Sequence, residues 1–359
     1  MLAACSPPVH YHGPKSDHFD GRHFFNPDGE QGTGGAQHEG AVRYLDDALF
    51  HPRDAWPLSV PVTRGVPPLS VTGGAMLVTW IGHSTVLVQA DGLNILTDPV
   101  WVARASPVQF AGPRRVRVPG VRFRDLPKID LVLISHDHYD HMDMKTLGRL
   151  WARDRPAIVT GLGNDIRLAG ENIPAIARDW GQSVVVRPGI TVTLDRVHHW
   201  SARSERDRDD TLWTGFTVTL PGGNLYFAGD TGPGDMRWAL PVAAQGPVRL
   251  ALLPIGAIHA VGPATGNHIG PIEAVTAFQQ LHAGSALGIH WGTFELTDEP
   301  IDLPPTLLRR TLAARHIAPD RFRATQAGER WWIPPLPATS VAAAPRIVPS
   351  QSSARPAQR

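Results

Sequence analysis

The feature that most limits what this chain can become is an apolar run that stops at a dense polar cluster. Residues 129–135 read Ile-Asp-Leu-Val-Leu-Ile-Ser, and His136-Asp137-His138-Tyr139-Asp140-His141 follows at once. The run has the length and content of a buried strand. Residues two apart on extended chain face the same way, so His136 and His138 converge on one point. The chain then turns towards a helical pattern beginning near Met142, which aims Asp140 and His141 elsewhere. Imidazole and carboxylate are borderline ligands that suit Zn²⁺ and its neighbours. An exposed polar loop is the bland alternative, and three His with two Asp at a strand end argue against it.

Other short apolar runs recur between turn signals. Candidate strands are Met76–Ile81, Ser84–Gln89, Leu93–Thr97, Leu131–Ser135, Ala157–Thr160, Ser183–Val186, Thr191–Arg196, Gly215–Leu220, Asn224–Ala228, Leu250–Pro254 and Ala286–His290. Helical patterns cover Met142–Arg153, Pro271–Leu281 and Pro304–Arg315. Strands early, then strands mixed with helices, predict an α/β (α+β) chain with two mixed sheets face to face and helices outside, a four-layer αββα sandwich. No Gly-rich turn joins a first strand to a helix, which disfavours a dinucleotide-binding fold. The expected domain is 41–335, with 1–40 an extended N-terminal arm and 336–359 a disordered Pro/Ala-rich tail.

Composition adds bounds. The apolar fraction of 42% supports a substantial core, and a net charge of +1 gives no argument for nucleic acid as partner. Seventeen histidines are many for 359 residues and agree with metal chemistry. With one cysteine, Cys5, no intramolecular disulfide can form. It lies in Leu2-Ala3-Ala4-Cys5-Ser6, which resembles a bacterial lipobox, although a working signal carries about 7–15 apolar residues before it. Two expectations stand together: a membrane-anchored lipoprotein facing the periplasm if the true start lies upstream, and a cytoplasmic protein otherwise.

His-x-His-x-Asp-His is the signature of the metallo-β-lactamase superfamily, and the surrounding sequence resembles the branch containing N-acyl-phosphatidylethanolamine-hydrolysing phospholipase D and its bacterial relatives. The matching stretches run from Thr79-Trp-Ile-Gly-His-Ser-Thr-Val-Leu-Val through Leu93-Asn-Ile-Leu-Thr-Asp-Pro, Arg104-Ala-Ser-Pro and Ala111-Gly-Pro. They continue through Leu133-Ile-Ser-His-Asp-His-Tyr-Asp-His, His199-Trp, Tyr226-Phe-Ala-Gly-Asp-Thr-Gly, Leu253-Pro-Ile-Gly-Ala and Ile289-His-Trp-Gly-Thr-Phe.

The resemblance implies two zinc ions: His136, His138 and His199 on one, Asp140, His141 and His290 on the other, and Asp230 between them. From the residues alone, Val197-His198-His199-Trp200 leaves open which histidine faces the metal; the family pattern, with its ligand immediately before Trp, implies His199. Two ions about 3.5–4 Å apart share a hydroxide and lower its pKa. The expected catalytic groups are Asp140, Asp230 and His268, the last matching a family histidine that contacts substrate. Asp98, in an Asp-Pro step, either hydrogen-bonds a ligand imidazole or only forms a turn. His83 lines the site or packs beside it.

The implied activity is a phosphodiesterase of the phospholipase D type, acting on N-acyl phosphatidylethanolamine or another small anionic ester. The alternatives are a lactonase or other ester hydrolase of the same fold and, outside enzymes, a metal-binding surface lipoprotein. Peripheral membrane association and a homodimer are expectations left open. The run Arg114, Arg115, Arg117, Arg122 and Arg124 reads as a solvated loop or an anion-binding surface, and Trp331 and Trp332 read as packing. Residues 258–266, including His259, depart from the phospholipase D pattern where specificity is set.

Overall fold

The apolar runs pair into two seven-stranded sheets in the computed structural model, which describes residues 9–29, 56–258, 266–297 and 299–337. Cys5, His259 and residues 338–359 of the tail lie outside the described residues. The first sheet contains β1 (Met76–Gly82), β2 (Thr85–Ala90), β3 (Leu93–Thr97), β4 (Leu131–Ile134), β5 (Ala157–Gly161) and β6 (Ile176–Arg178). The second contains β7 (Ser183–Arg187), β8 (Ile190–Asp195), β9 (Gly215–Thr219), β10 (Asn224–Phe227), β11 (Val248–Pro254), β12 (Ser285–Ile289) and β13 (Phe322–Arg323). The last strand, β14 (Arg330–Trp332), returns to the first sheet and pairs with β1.

The strand orders are β14-β1-β2-β3-β4-β5-β6 and, in the second sheet, β7-β8-β9-β10-β11-β12-β13. In both, three antiparallel pairings are followed by three parallel ones. Parallel strands need crossover connections, and helices supply most of them here: α1 (Met144–Asp154), α2 (Asn164–Ala169), α3 (Ala239–Ala244) and α4 (Pro271–Gln280), with α5 (Leu303–Ala314) before β13. This is the αββα sandwich that the alternation of runs predicts.

Side-chain alternation explains why the strands read as continuous apolar text. On β4, Leu131 and Leu133 enter the core between the sheets, where they join Trp80, Val88, Phe216 and Leu225. Val132 and Ile134 point the other way, under Leu147 and Leu150 of α1. Truncating one such leucine to alanine costs about 2–5 kcal/mol. The start of α1 is fixed by Asp143, whose side chain accepts from Thr146 N, and its end by Arg155 in the left-handed region at φ 52°. Asp143 also accepts from the backbone N–H groups of Trp101 and Val102, so the helix start is tied to the loop after β3.

The described part of the arm is a short hairpin in which Phe19 bridges Phe24. Both phenylalanines are buried against Val197, Leu212 and Trp213. The arginine run is not uniformly solvated. Arg117 is buried, donating from Nε to Gly292 O at 2.9 Å with Trp80 and Trp291 against its guanidinium. Trp331 enters the core and Trp332 is exposed on the edge strand. No helix among the described residues is long and apolar enough to cross a membrane.

Asp195, at the end of β8, is buried and accepts from Thr217 Oγ1 and Gln245 Nε2. Burial raises its carboxyl to about 6 despite those two bonds. An unfolded aspartate ionises near pH 4, so the contribution of Asp195 is complete below that pH and is lost as pH rises through about 6. Asp195→Asn should therefore gain stability relative to the native protein between about pH 4 and pH 7, by up to roughly 3 kcal/mol. Paired urea titrations at several pH values check this; a difference that stays flat with pH refutes it.

Candidate metal centre

The sequence-predicted residues meet at the ends of strands on one rim of the sandwich. After β4 the chain delivers His136 and His138, whose Nε2 and Nδ1 atoms lie 2.7 Å apart. The ring of His199 lies beside both, with centroids 4.7 and 5.3 Å away. These three present ligand atoms mutually within 4.8 Å, and a second such group is His83, Asp140, His141 and His290. Asp230 touches both groups. Its Oδ2 is 2.9 Å from His290 Nε2, 3.1 Å from His141 Nε2 and 3.9 Å from His199 Nε2. His268 Nδ1 is 3.7 Å from the same oxygen. The alternation left open at 198–199 resolves geometrically: His199 faces the cluster, while His198 turns away to Asp28.

Asp98 lies behind the cluster, wholly buried. It accepts from Ser135 N at 2.8 Å, from Ser135 Oγ at 2.6 Å and from His141 Nδ1 at 2.6 Å. Ser135 Oγ in turn lies 2.9 Å from His136 Nδ1. A proton held on Nδ1 leaves the Nε2 lone pair free, so one carboxylate sets the tautomer of a histidine in each group. The Nδ1 of His199 is held in the same way by Asn267 O at 2.9 Å. His83 Nε2 lies 2.9 Å from Asp140 Oδ2, which makes it a neighbour that steadies that carboxylate.

Sharp backbone turns aim these groups. His83, Asp98 and His290 sit at φ 56°, 32° and 60°, in the left-handed region that side chains rarely adopt. Gly229, at φ 61°, precedes Asp230 where a Cβ would come within 2.6 Å of Ser135 Cβ. Only glycine lets the end of β10 pass so close to the end of β4.

The electrostatics describe carboxylates and imidazoles crowded together out of water. Burial opposes ionisation of Asp140 and Asp230, yet the surrounding imidazoles hold both well below the usual carboxylate range. Burial likewise opposes charge on His141 and His290, but the two carboxylates keep His141 well above its ordinary value and raise His290 to about 9. Burial and neighbouring imidazoles push His136 and His199 well below theirs. Buried Nε2 atoms of His138 and His199, and Oδ1 of Asp230, have no hydrogen-bond partner among the described residues. Convergent imidazoles, some with unpartnered nitrogens, and two ionised carboxylates fit divalent-cation binding, because buried polar atoms otherwise cost about 1–3 kcal/mol each.

Several supporting residues are not evident from sequence. Asp137, between the candidate ligands His136 and His138, points away from them and pairs with Arg167, whose Nε lies 3.0 Å from Oδ2. Arg167 also binds Asp207. Arg203 lies over the Tyr139 ring and donates to Asp137 O at 2.7 Å and Met142 O at 3.0 Å, clasping both ends of the motif loop. The one available signal is Asp137 itself, since a carboxylate at the end of a buried strand needs a cation. Glu299, buried, accepts from the backbone N–H groups of Ala257 and Ile258 and so anchors the loop after β11.

Residues 93–291, more than half of the chain, match the family model described as Beta-lactamase superfamily domain, and the chain belongs to that family. Among curated proteins it is 34% identical over 278 residues to N-acyl-phosphatidylethanolamine-hydrolyzing phospholipase D 1 of Caenorhabditis elegans, covering 71% of this chain and 75% of that one. It is 37% identical over 248 residues to an uncharacterized protein of Mycobacterium tuberculosis (strain ATCC 25618 / H37Rv), covering 67% of this chain. The match spans 65% of the mycobacterial relative's length. Among solved structures, Igni18, a metallo hydrolase from Ignicoccus hospitalis, superposes with a TM-score of 0.54 at 22% identity, over 72% of this chain and 99% of that one. That likeness concerns the fold.

Asp98→Asn keeps the shape but sets an amide N–H against either Ser135 N or the Ser135 hydroxyl and His141 Nδ1. Metal affinity, measured by competition with a chromophoric chelator, should fall about 10–100-fold. Unchanged affinity would remove Asp98 from this role.

Proposed function

We propose that this chain is a dinuclear zinc hydrolase, a phosphodiesterase of the phospholipase D type acting on N-acyl phosphatidylethanolamine or a similar phospholipid. The observation that carries the hydrolytic part is Asp230, one carboxylate shared by two converging ligand groups. His136, His138 and His199 would hold one ion, Asp140, His141 and His290 the other. Bound there, two zinc ions would supply Lewis acidity and an activated water. The substrate class draws support from the 34% identity to the nematode phospholipase D.

The chain's own residues supply binding and orientation. The side chain of His268 is 21% exposed beside Asp230, and burial lowers its pKa to about 4, so at neutral pH it meets substrate as an uncharged imidazole. The loop tied to Asp143 carries Phe110, 84% exposed, and Arg114 donates from it to Leu58 O, with Leu58 80% exposed. Exposed apolar side chains beside arginines suit peripheral contact with a phospholipid surface.

A lactonase or other ester hydrolase is the second reading, favoured by the departure of 258–266 from the phospholipase D pattern. A metal-binding surface protein is the third. Zinc-loaded protein should contain close to two ions per chain and release an N-acylethanolamine from N-acyl phosphatidylethanolamine in vesicles. Turnover of lactones alone would install the second reading, and two bound ions with no turnover of either the third. Asp230→Ala should lose metal affinity and activity together, each at least about 100-fold. Full activity in that variant would falsify the shared-ligand role.

A further inference from the structure

His199 is reached only after the chain has left its strand. Strand β8 ends at Asp195, so residues 196–200 leave the sheet before the ligand is reached and take no ladder bonds. Several of their backbone groups are satisfied one by one instead. Trp213 Nε1 donates to Val197 O at 3.2 Å, and Gly232 N donates to His198 O. His198 N donates to Thr231 Oγ1 at 3.1 Å. The carbonyl of His199 receives its bond from the N-terminal arm: Asn26 Nδ2 donates to it at 2.8 Å.

We infer that residues 9–29 are an intramolecular clamp for the candidate ligand His199, with Asn26 as the positioning residue. Asn26 is only 4% exposed. Two residues on, Asp28 Oδ1 lies 2.7 Å from Arg196 and 3.2 Å from His198 Nδ1, so the arm holds the residues just before the ligand as well. Gly234 leaves room for that pair, because a Cβ there would lie 2.5 Å from Asp28 Oδ2 and 3.0 Å from His198 Nδ1.

The arm is itself docked firmly. Phe19 and Phe24 are buried on Val197, Leu212 and Trp213. Phe24 N donates to Asp209 O at 2.8 Å, and Phe25 N to His18 O at 2.9 Å. His18 lies against the Trp180 ring, 4.5 Å between centroids, with Nε2 2.7 Å from Asp179 Oδ1. Apolar burial thus fixes the arm, and Asn26 carries that rigidity to the ligand's backbone. These residues lie outside the stretch 93–291 that matches the family model.

The inference rests on the two-ion reading. Full-length native protein, Asn26→Ala, Asn26→Asp and Asn26→Gln are stripped of metal, titrated with Co²⁺ and Zn²⁺ against a chromophoric chelator, and followed by the visible absorption of bound Co²⁺. Asn26→Ala and Asn26→Asp, which lack the donor, should weaken one of the two ions about 10–100-fold, shift one component of the cobalt spectrum, and leave the other ion within about threefold. Asn26→Gln, which keeps an amide donor, should recover part of the loss. The melting temperature of the metal-free variants should stay within a few degrees of native.

Two ions bound with native affinity by both donor-lacking variants would overturn the clamp and leave the hydrolase reading intact. So would equal weakening of both ions alongside a large fall in metal-free melting temperature, which marks a general loss of structure. Native protein that binds no ion would overturn both readings. If the Asn26 variants do not fold, Asp28→Asn takes their place. Selective weakening of one ion then supports the clamp, and native affinity or equal weakening of both overturns it.

Discussion

Asp98 never meets solvent, and the metal centre is organised around it. Through three accepted hydrogen bonds it fixes the end of β4, the hydroxyl of Ser135 and the ring of His141, and through Ser135 it reaches His136. Burial alone pushes its carboxyl up, and those donors pull against that push. A neutral Asp98 would present a proton where His141 must present its own. The ionised form is therefore tied to the site's geometry, and the geometry to two strand ends of one sheet meeting behind the ligands.

The sheets give this arrangement a counterpart. Each has the same succession of pairings, and each has one strand in the fourth place, β3 in one and β10 in the other. Asp98 follows the first and Asp230 follows the second. One carboxylate braces ligands from behind, and the other stands among them. Glycine-enabled contact between the ends of β10 and β4 is what lets two separate sheets contribute to one small volume.

Much of this was legible in the residues. The αββα architecture follows from apolar runs that keep strand length and from helical patterns between the later ones. The candidate ligand histidines stood out because three His and two Asp at one strand end argue against an exposed polar loop. Asp98 was ambiguous, since an Asp-Pro step forms turns whether or not a metal is near. The rest was hidden for physical reasons. Strands β6, β13 and β14 are two or three residues long and carry no period. Arg203, Arg167 and Asp207 act through contacts distant in sequence. Arg117 looked like surface charge, but it is buried, with its guanidinium against the stacked rings of Trp80 and Trp291. The arm's role depends on a single side-chain amide, which no pattern announces.

The return of β14 to the first sheet has a further consequence, for how the chain is made. Leu77 pairs with Trp332, so the first sheet stays open at the β1 edge until nearly the whole described chain has been synthesised. A nascent N-terminal half would carry an unpaired, apolar edge strand, the kind of edge that recruits other chains. Closure across so long a separation is slow on loop-entropy grounds. The edge formed first is thus the last in the first sheet to be covered.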